Sequence, residues 1–230
     1  MQTTNIMVYA VSYAMVFVLS WISRINKNSR LFNDEGGITQ KPGNLLGIHL
    51  SGILWLCLVP VILFDIPVAH VLMGNSIPEA SSIFSLGLLC LAAITIAFRI
   101  GNHIMVPGTV CHEMPGQLTQ SFFKKYFIIR TIYLFVYELW FRGFLLFETI
   151  RFFGIPAAVS LNILLYSLLH IFKSKKEMLS CIPFGLILCF LSILFNAAWP
   201  AIILHIGFSL SYELNIYHSY IRTSKIIDHG

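Results

Sequence analysis

The chain has 230 residues, of which 57% are hydrophobic and only 11% are charged, and its formal net charge is +5. Soluble domains carry about 25% charged residues, so this composition excludes an ordinary soluble domain and indicates a polytopic membrane protein. No basic run is long enough for polynucleotide binding, and we expect no nucleic-acid partner. The five cysteines show no paired spacing, which argues against a disulfide framework or a zinc ribbon.

Apolar runs recur along the whole chain and predict an all-α membrane bundle of about seven transmembrane helices. The runs cover about 6–22, 44–64, 80–98, 126–148, 157–172, 178–195 and 198–217. The segment 101–125 contains prolines and glycines and is predicted to be a loop with some interfacial helix. We divide the chain into N-terminal helices and loops (1–125), a core that carries the polar residues (126–217) and a polar C-terminal tail (218–230).

The basic residues between these runs predict the orientation of the chain. If the loop after the first run is cytoplasmic, only Arg151 among the loop lysines and arginines lies outside. The inside then holds Arg24, Lys27, Arg30, Lys41, Lys124, Lys125, Lys173, Lys175, Lys176, Arg222 and Lys225. This asymmetry predicts a multi-pass protein of the cytoplasmic membrane, embedded in the lipid bilayer, with its N-terminus outside and its C-terminus cytoplasmic.

Two charged residues lie in the middle of the fourth run. Glu138 and Arg142 are four residues apart, a spacing that puts both on one face of a helix, where they can pair. A charge at bilayer depth costs a few kcal/mol or more, so the pair should face the protein interior. The pair is either a structural lock between helices or one half of an active site.

The later runs supply further polar residues. His170 lies near the end of the fifth run, and the seventh run carries His205, Ser209 and Glu213 at successive spacings of four. Two imidazoles, a carboxylate and a guanidinium from three helices are suited to activate a water and stabilise an oxyanion, with or without a metal. Simpler interpretations exist for each residue alone: a packed histidine, a serine bonded to its own helix, or a carboxylate that reaches the interface.

These residues resemble the motifs of a known family. The string Glu138-Leu-Trp-Phe-Arg142, the spacing Tyr166-x-x-x-His170 and the spacing His205-x-x-x-Ser209 are similar to the EExxxR, FxxxH and Hxxx(N/D) motifs of the CPBP intramembrane proteases. That family includes the CAAX-prenyl endopeptidases and bacterial relatives linked to bacteriocin processing and self-immunity. The resemblance extends over Tyr126–Glu213. It implies hydrolysis of a peptide bond in a membrane-associated protein or peptide substrate, in a bacterial cytoplasmic membrane.

The sequence departs from the family motifs at three positions. The first glutamate of the first motif, to which the family assigns water activation, is Tyr137 here. A phenol, with an ordinary pKa of about 10, is a poor general base at neutral pH. Tyr166 replaces the usual phenylalanine, and Ser209 replaces the usual asparagine or aspartate. Consecutive helix positions point about 100° apart, so Glu138 cannot simply replace the missing carboxylate.

Three hypotheses follow from this resemblance and its departures. In the first, the protein is an intramembrane endopeptidase: Glu138, held by Arg142, works with His170 to activate water, while His205 and Ser209 stabilise the oxyanion. A divalent metal such as zinc either takes part or does not; the sequence leaves this open. In the second, the protein is a catalytically inactive scaffold or immunity-type interaction partner. In the third, the protein is a small transporter with a proton relay. The sequence does not show the paired broken-helix segments that are typical of such folds.

Overall fold

Helices form almost all of the chain that the computed structural model describes, which is residues 2–26, 31–32, 39, 41–64, 68–74, 78–104, 120–173 and 175–227. The α-helices are α1 (Gln2–Ile25), α2 (Pro42–Ile53), α3 (Val59–Phe64), α4 (Val68–Met73), α5 (Ala80–Ile104), α6 (Gln120–Glu138), α7 (Leu146–His170), α8 (Lys175–Phe195) and α9 (Trp199–Ile227). Two π-helical segments join consecutive helices: Leu54–Leu58 connects α2 to α3, and Leu139–Leu145 connects α6 to α7. The prediction of an all-α bundle is confirmed.

The outward faces of the long helices are apolar, as a bilayer requires. Phe84 and Leu91 on α5 and Leu179 and Phe190 on α8 are each about 60% exposed or more. Five stretches of the described chain are long and apolar enough to cross a membrane: Met7–Ile25, Pro42–Ile62, Ala80–Asn102, Gln120–His170 and Lys175–Phe195. Helices satisfy their own backbone hydrogen bonds, so a bundle with this exterior suits a hydrocarbon environment. The protein is therefore a multi-pass membrane protein.

The stretch from Gln120 to His170 contains the fourth and fifth predicted spans, and the chain reverses between them. Gly154 has φ 75° and ψ 170°, a conformation that glycine adopts readily and other residues rarely do. The Asn162 amide nitrogen lies 2.7 Å from the Phe141 carbonyl oxygen, although a straight helix would separate these residues by about 30 Å. The two halves thus form a hairpin, with its bend at Gly154, between the predicted runs 126–148 and 157–172.

The π-helical segment Leu139–Leu145 lies at the centre of the bundle. All seven of its residues are buried, and Trp140 and Phe141 expose no surface. Helix α7 packs on α8, while α9 packs on α5, α6 and α8. The segment itself contacts α4, α8 and α9 as well as the two helices that it joins, so the polar side chain of Arg142 meets protein rather than lipid.

The segment 101–125, predicted to be a loop with some interfacial helix, is helical at both of its ends. Helix α5 continues to Ile104 and α6 begins at Gln120. The early start of α6 has a tertiary cause: Phe123 is buried, and its ring centroid lies 4.4 Å from that of Tyr217 on α9. In the sequence, His103, His112 and Glu113 form a possible metal cluster in this predicted loop; His112 and Glu113 lie outside the described residues. The polar tail predicted over 218–230 is helical as far as Ile227, because α9 continues through it.

Candidate active site

Glu138 and Arg142 form a buried ion pair where α6 passes into the π-helical segment. Glu138 is the last residue of α6, Arg142 lies within the segment, and neither side chain exposes any surface. Arg142 Nε lies 3.3 Å from Glu138 Oε2. The contact lacks the alignment of a hydrogen bond, so it is an ionic contact of the charged groups. The pairing predicted from the i, i+4 spacing is present.

His205 on α9 contacts the other oxygen of the same carboxylate. Its Nδ1 lies 2.5 Å from Glu138 Oε1. A carboxylate paired with a guanidinium accepts hydrogen bonds, so Nδ1 of His205 carries the proton. In the neutral ring the second nitrogen, Nε2, then keeps its lone pair. The two oxygens of Glu138 are thus divided between Arg142 and His205.

His170 occupies the last position of α7 and is also buried. Its Nδ1 lies 2.9 Å from the carbonyl oxygen of Tyr166, one turn earlier. A carbonyl oxygen only accepts, so Nδ1 of His170 is protonated, and Nε2 of the neutral ring keeps its lone pair. Within the described residues, His170 contacts the cluster through aromatic rings rather than through Glu138. This placement differs from the predicted cooperation of Glu138 with His170.

The ring of Tyr137 contacts both histidines. Its ring centroid is 6.5 Å from that of His170 and 6.3 Å from that of His205, and both contacts are edge-to-face. The Tyr137 hydroxyl is buried and has no hydrogen-bond partner among the described residues. The position of the family's first glutamate therefore presents a phenol to both imidazoles.

Tyr166 joins the charged pair to the histidines. The Arg142 guanidinium carbon lies 4.6 Å from the centroid of the Tyr166 ring, in cation–π distance. The same ring centroid is 4.9 Å from that of His170 and 6.3 Å from that of His205. The tyrosine of the second motif thus packs against four side chains of one cluster, which also contains Tyr137.

Asn162 is a member of the cluster that the sequence analysis missed. Its side-chain oxygen accepts a hydrogen bond from Arg142 Nη1, and its amide nitrogen donates to the Phe141 carbonyl at 2.7 Å. Asn162 exposes no surface. The candidate residues in the sequence were mainly the ionisable ones of the spans, and asparagine is a neutral amide. A signal was present, because an amide in the middle of an apolar span also needs a polar partner.

The polar residues of α9 lie in two different environments. His205 joins the cluster, whereas Glu213 binds Arg130 Nε at 3.0 Å and the Tyr126 hydroxyl at 2.9 Å. Glu213 is therefore paired within the bundle rather than free at the interface. Ser209 lies one turn beyond His205 and is half-buried, and the hydrogen bonds among the described residues do not include it.

A small cavity lies beside the cluster. It has a volume of about 100 Å³, and its polar lining includes His49, Arg130, Lys173 and Glu213. Tyr133 lines the cavity as well, and its ring centroid is 5.8 Å from that of Tyr137. His170 and His205 are not among the described residues that line this cavity.

The described residues do not form a site suited to a metal ion. No three histidine, cysteine, aspartate or glutamate side chains among them are grouped as metal ligands. Glu138, the carboxylate of the cluster, already contacts Arg142 and His205. We therefore derive no chemical step through a metal.

The fold and the cluster define a class of protein: a multi-pass membrane protein with a buried glutamate–arginine pair and two histidines. Residues 120–211 match the family model described as type II CAAX prenyl endopeptidase Rce1-like. No curated protein matches the chain. The matched segment includes every residue of the cluster, and the match supports the CPBP family of intramembrane proteases, as the motifs predicted.

Proposed function

We propose that this protein is an intramembrane endopeptidase that hydrolyses a peptide bond of a membrane-associated protein or peptide. The observation that supports this most is the convergence of Glu138, Arg142, His170 and His205 in one cluster. The four residues come from three different parts of the chain, and in sequence Glu138 and His205 are 67 positions apart. The cluster combines a fixed carboxylate, two imidazoles with free Nε2 atoms and a buried hydroxyl.

The water-activating base in this proposal is an imidazole rather than Glu138. Both oxygens of Glu138 are engaged, and its side chain exposes no surface. His205 and His170 keep 7% and 9% of their surface exposed. Because a carboxylate on Nδ1 orients an imidazole and stabilises the imidazolium that forms, Glu138 acts on His205 as the aspartate acts in a catalytic triad.

The proposed reaction requires only groups that the chain supplies, together with water. Nε2 of His205 takes a proton from the water, and the water oxygen forms a bond to the carbonyl carbon of the substrate. The Tyr137 hydroxyl donates a hydrogen bond to the resulting oxyanion, while Nε2 of His170 holds the water in place. The imidazolium of His205 then gives its proton to the leaving nitrogen as the C–N bond breaks. Ser209 is a candidate second donor to the oxyanion.

The test compares the protein termini formed in membranes that contain the wild type or a variant. In membranes with the wild type, we expect new termini that are absent with His205→Gln and with His170→Gln. His218→Gln, at an exposed position of α9, is the matched histidine control, and Ser192→Ala is a buried control on α8. Both controls should form the same termini as the wild type.

The alternative of an inactive scaffold or immunity-type partner predicts a different result. In that case, membranes with the wild type and with both histidine variants contain the same termini, while the variants remain folded and inserted. That result would exclude hydrolysis by this cluster.

A further inference from the structure

We propose that Asn162, which lies outside the three family motifs, is a positioning residue that holds Arg142 and thereby orients Glu138 toward His205. Its role in turnover rests on the proposed function, whereas its effect on the orientation of His205 does not. The inference depends on a continuous series of contacts: Asn162 to Arg142, Arg142 to Glu138, and Glu138 to His205. The first three of these side chains expose no surface.

Arg142 requires more than one anchor to hold the carboxylate in place. Its side chain is long and flexible, but the guanidinium is a rigid plane. Asn162 binds the plane at Nη1, the plane lies over the Tyr166 ring, and Nε lies 3.3 Å from Glu138 Oε2. Fixing Nη1 therefore fixes the direction of Nε. Without Asn162, the guanidinium can rotate about its stem while still lying over the ring.

Asn162 also contacts the π-helical segment itself. The Phe141 carbonyl accepts the backbone N–H of Leu146, five residues later, as the π-helical pattern requires. The second lone pair of that carbonyl accepts the Asn162 amide at 2.7 Å. One side chain of α7 thus binds both the backbone of the segment and the arginine that the segment carries. This double contact requires an acceptor and a donor on one short side chain, which asparagine provides.

The neighbouring contacts of Asn162 are weaker and supply a control. The thiol of Cys189 on α8 lies 3.5 Å from the same Asn162 oxygen. Cys189→Ala removes this contact and leaves the arginine and carbonyl contacts in place. Cys189→Ala therefore changes the surroundings of Asn162 but keeps its two strong hydrogen bonds. It is the control for Asn162→Ala, which lacks both bonds.

The experiment measures the Nδ1 proton of His205 by NMR in lipid nanodiscs, with the resonance assigned by its loss in His205→Gln. In the wild type we expect a low-field resonance from the hydrogen bond to Glu138. Asn162→Ala should shift or remove it, whereas Cys189→Ala should not. On a substrate identified by the terminus comparison, Asn162→Ala should lower kcat about 10²-fold and leave KM unchanged, because Asn162 lies behind Arg142, away from the histidines.

The outcomes separate this inference from the proposed function. An unchanged His205 resonance in a folded Asn162→Ala protein would refute the positioning role, whatever the activity of the wild type. A shifted resonance in a protein that cleaves nothing would support the positioning role and refute the peptidase. If Asn162→Ala does not fold, Asn162→Leu, which fills the volume of the side chain but also removes both hydrogen bonds, is measured instead, with the same criteria.

Discussion

Removing the charge of Glu138 gives the sharpest test of the cluster, because the same change affects stability and catalysis for different reasons. Glu138→Gln keeps the shape of the side chain and keeps an oxygen that can accept from His205. It leaves the Arg142 guanidinium buried without its counter-charge. At the observed 3.3 Å between Nε and Oε2, and with an effective dielectric constant of about 20, the lost attraction is about 5 kcal/mol. Measured losses for broken buried pairs are about 3–5 kcal/mol.

We therefore expect Glu138→Gln to lower the free energy of unfolding by about 3–5 kcal/mol, measured by reversible unfolding in mixed detergent micelles. The double variant Glu138→Gln/Arg142→Met removes both charges and should recover part of this loss, because a buried pair replaced as a whole costs little. Catalysis should not recover in the double variant. Without the carboxylate, the imidazolium of His205 is no longer stabilised, and kcat should remain about 10⁴-fold low.

Two results would contradict this reasoning. A loss of stability below about 1 kcal/mol in Glu138→Gln would mean that the carboxylate is not the counter-charge of Arg142. Full cleavage activity in a folded Glu138→Gln protein would show that the carboxylate of Glu138 is not needed to orient His205, the proposed base. His218→Gln, on the exposed side of α9, is the control for both measurements and should behave as the wild type.

Three further predictions concern other parts of the molecule. Tyr137→Phe removes the unpartnered hydroxyl of the ring that contacts both histidines, and it should lower kcat about 10²-fold in the cleavage assay. An unchanged kcat would exclude this hydroxyl as an oxyanion donor. The ion pair of Arg130 and Glu213 is mostly buried. A double-mutant cycle with glutamine at both positions should give a coupling energy of about 1 kcal/mol in the unfolding assay. If the two losses of stability are additive, the residues are not coupled. Gly154→Ala should lower the free energy of unfolding by about 1–3 kcal/mol, because Gly154 has a positive φ. Gly87→Ala on α5 is the control and should not lower it, since an added Cβ there has open space. Equal effects of the two substitutions would contradict the argument from backbone strain.

The sequence was informative wherever a property is local. Hydropathy predicted the helices and the membrane class, because a bilayer selects apolar runs of about 20 residues. The turn around Gly154 was predictable from its glycine and the proline that follows. The pairing of Glu138 with Arg142 followed from a spacing of four. The motifs that resemble the family could be read directly, and the match over 120–211 confirms that reading.

Some positions were predicted wrongly or missed because their environment depends on contacts between distant parts of the chain. Helix α6 begins before its predicted start since Phe123 packs against Tyr217, which no local pattern indicates. Asn162 was missed because an amide in an apolar span indicates that a polar partner exists but not which residues supply it. The fold also decides that Glu213 pairs with Arg130 instead of reaching the interface.

By itself, the sequence determined that this is a helical membrane protein with a glutamate, an arginine and two histidines in its later spans, since composition and short spacings are encoded residue by residue. Only the tertiary structure decided how these groups are divided: Glu138 lies between Arg142 and His205, while His170 and Tyr137 stand beside them. The reason is physical. Which oxygen of a buried carboxylate meets which partner depends on the register of α9 against α6, and that register is set by the packing of whole helices.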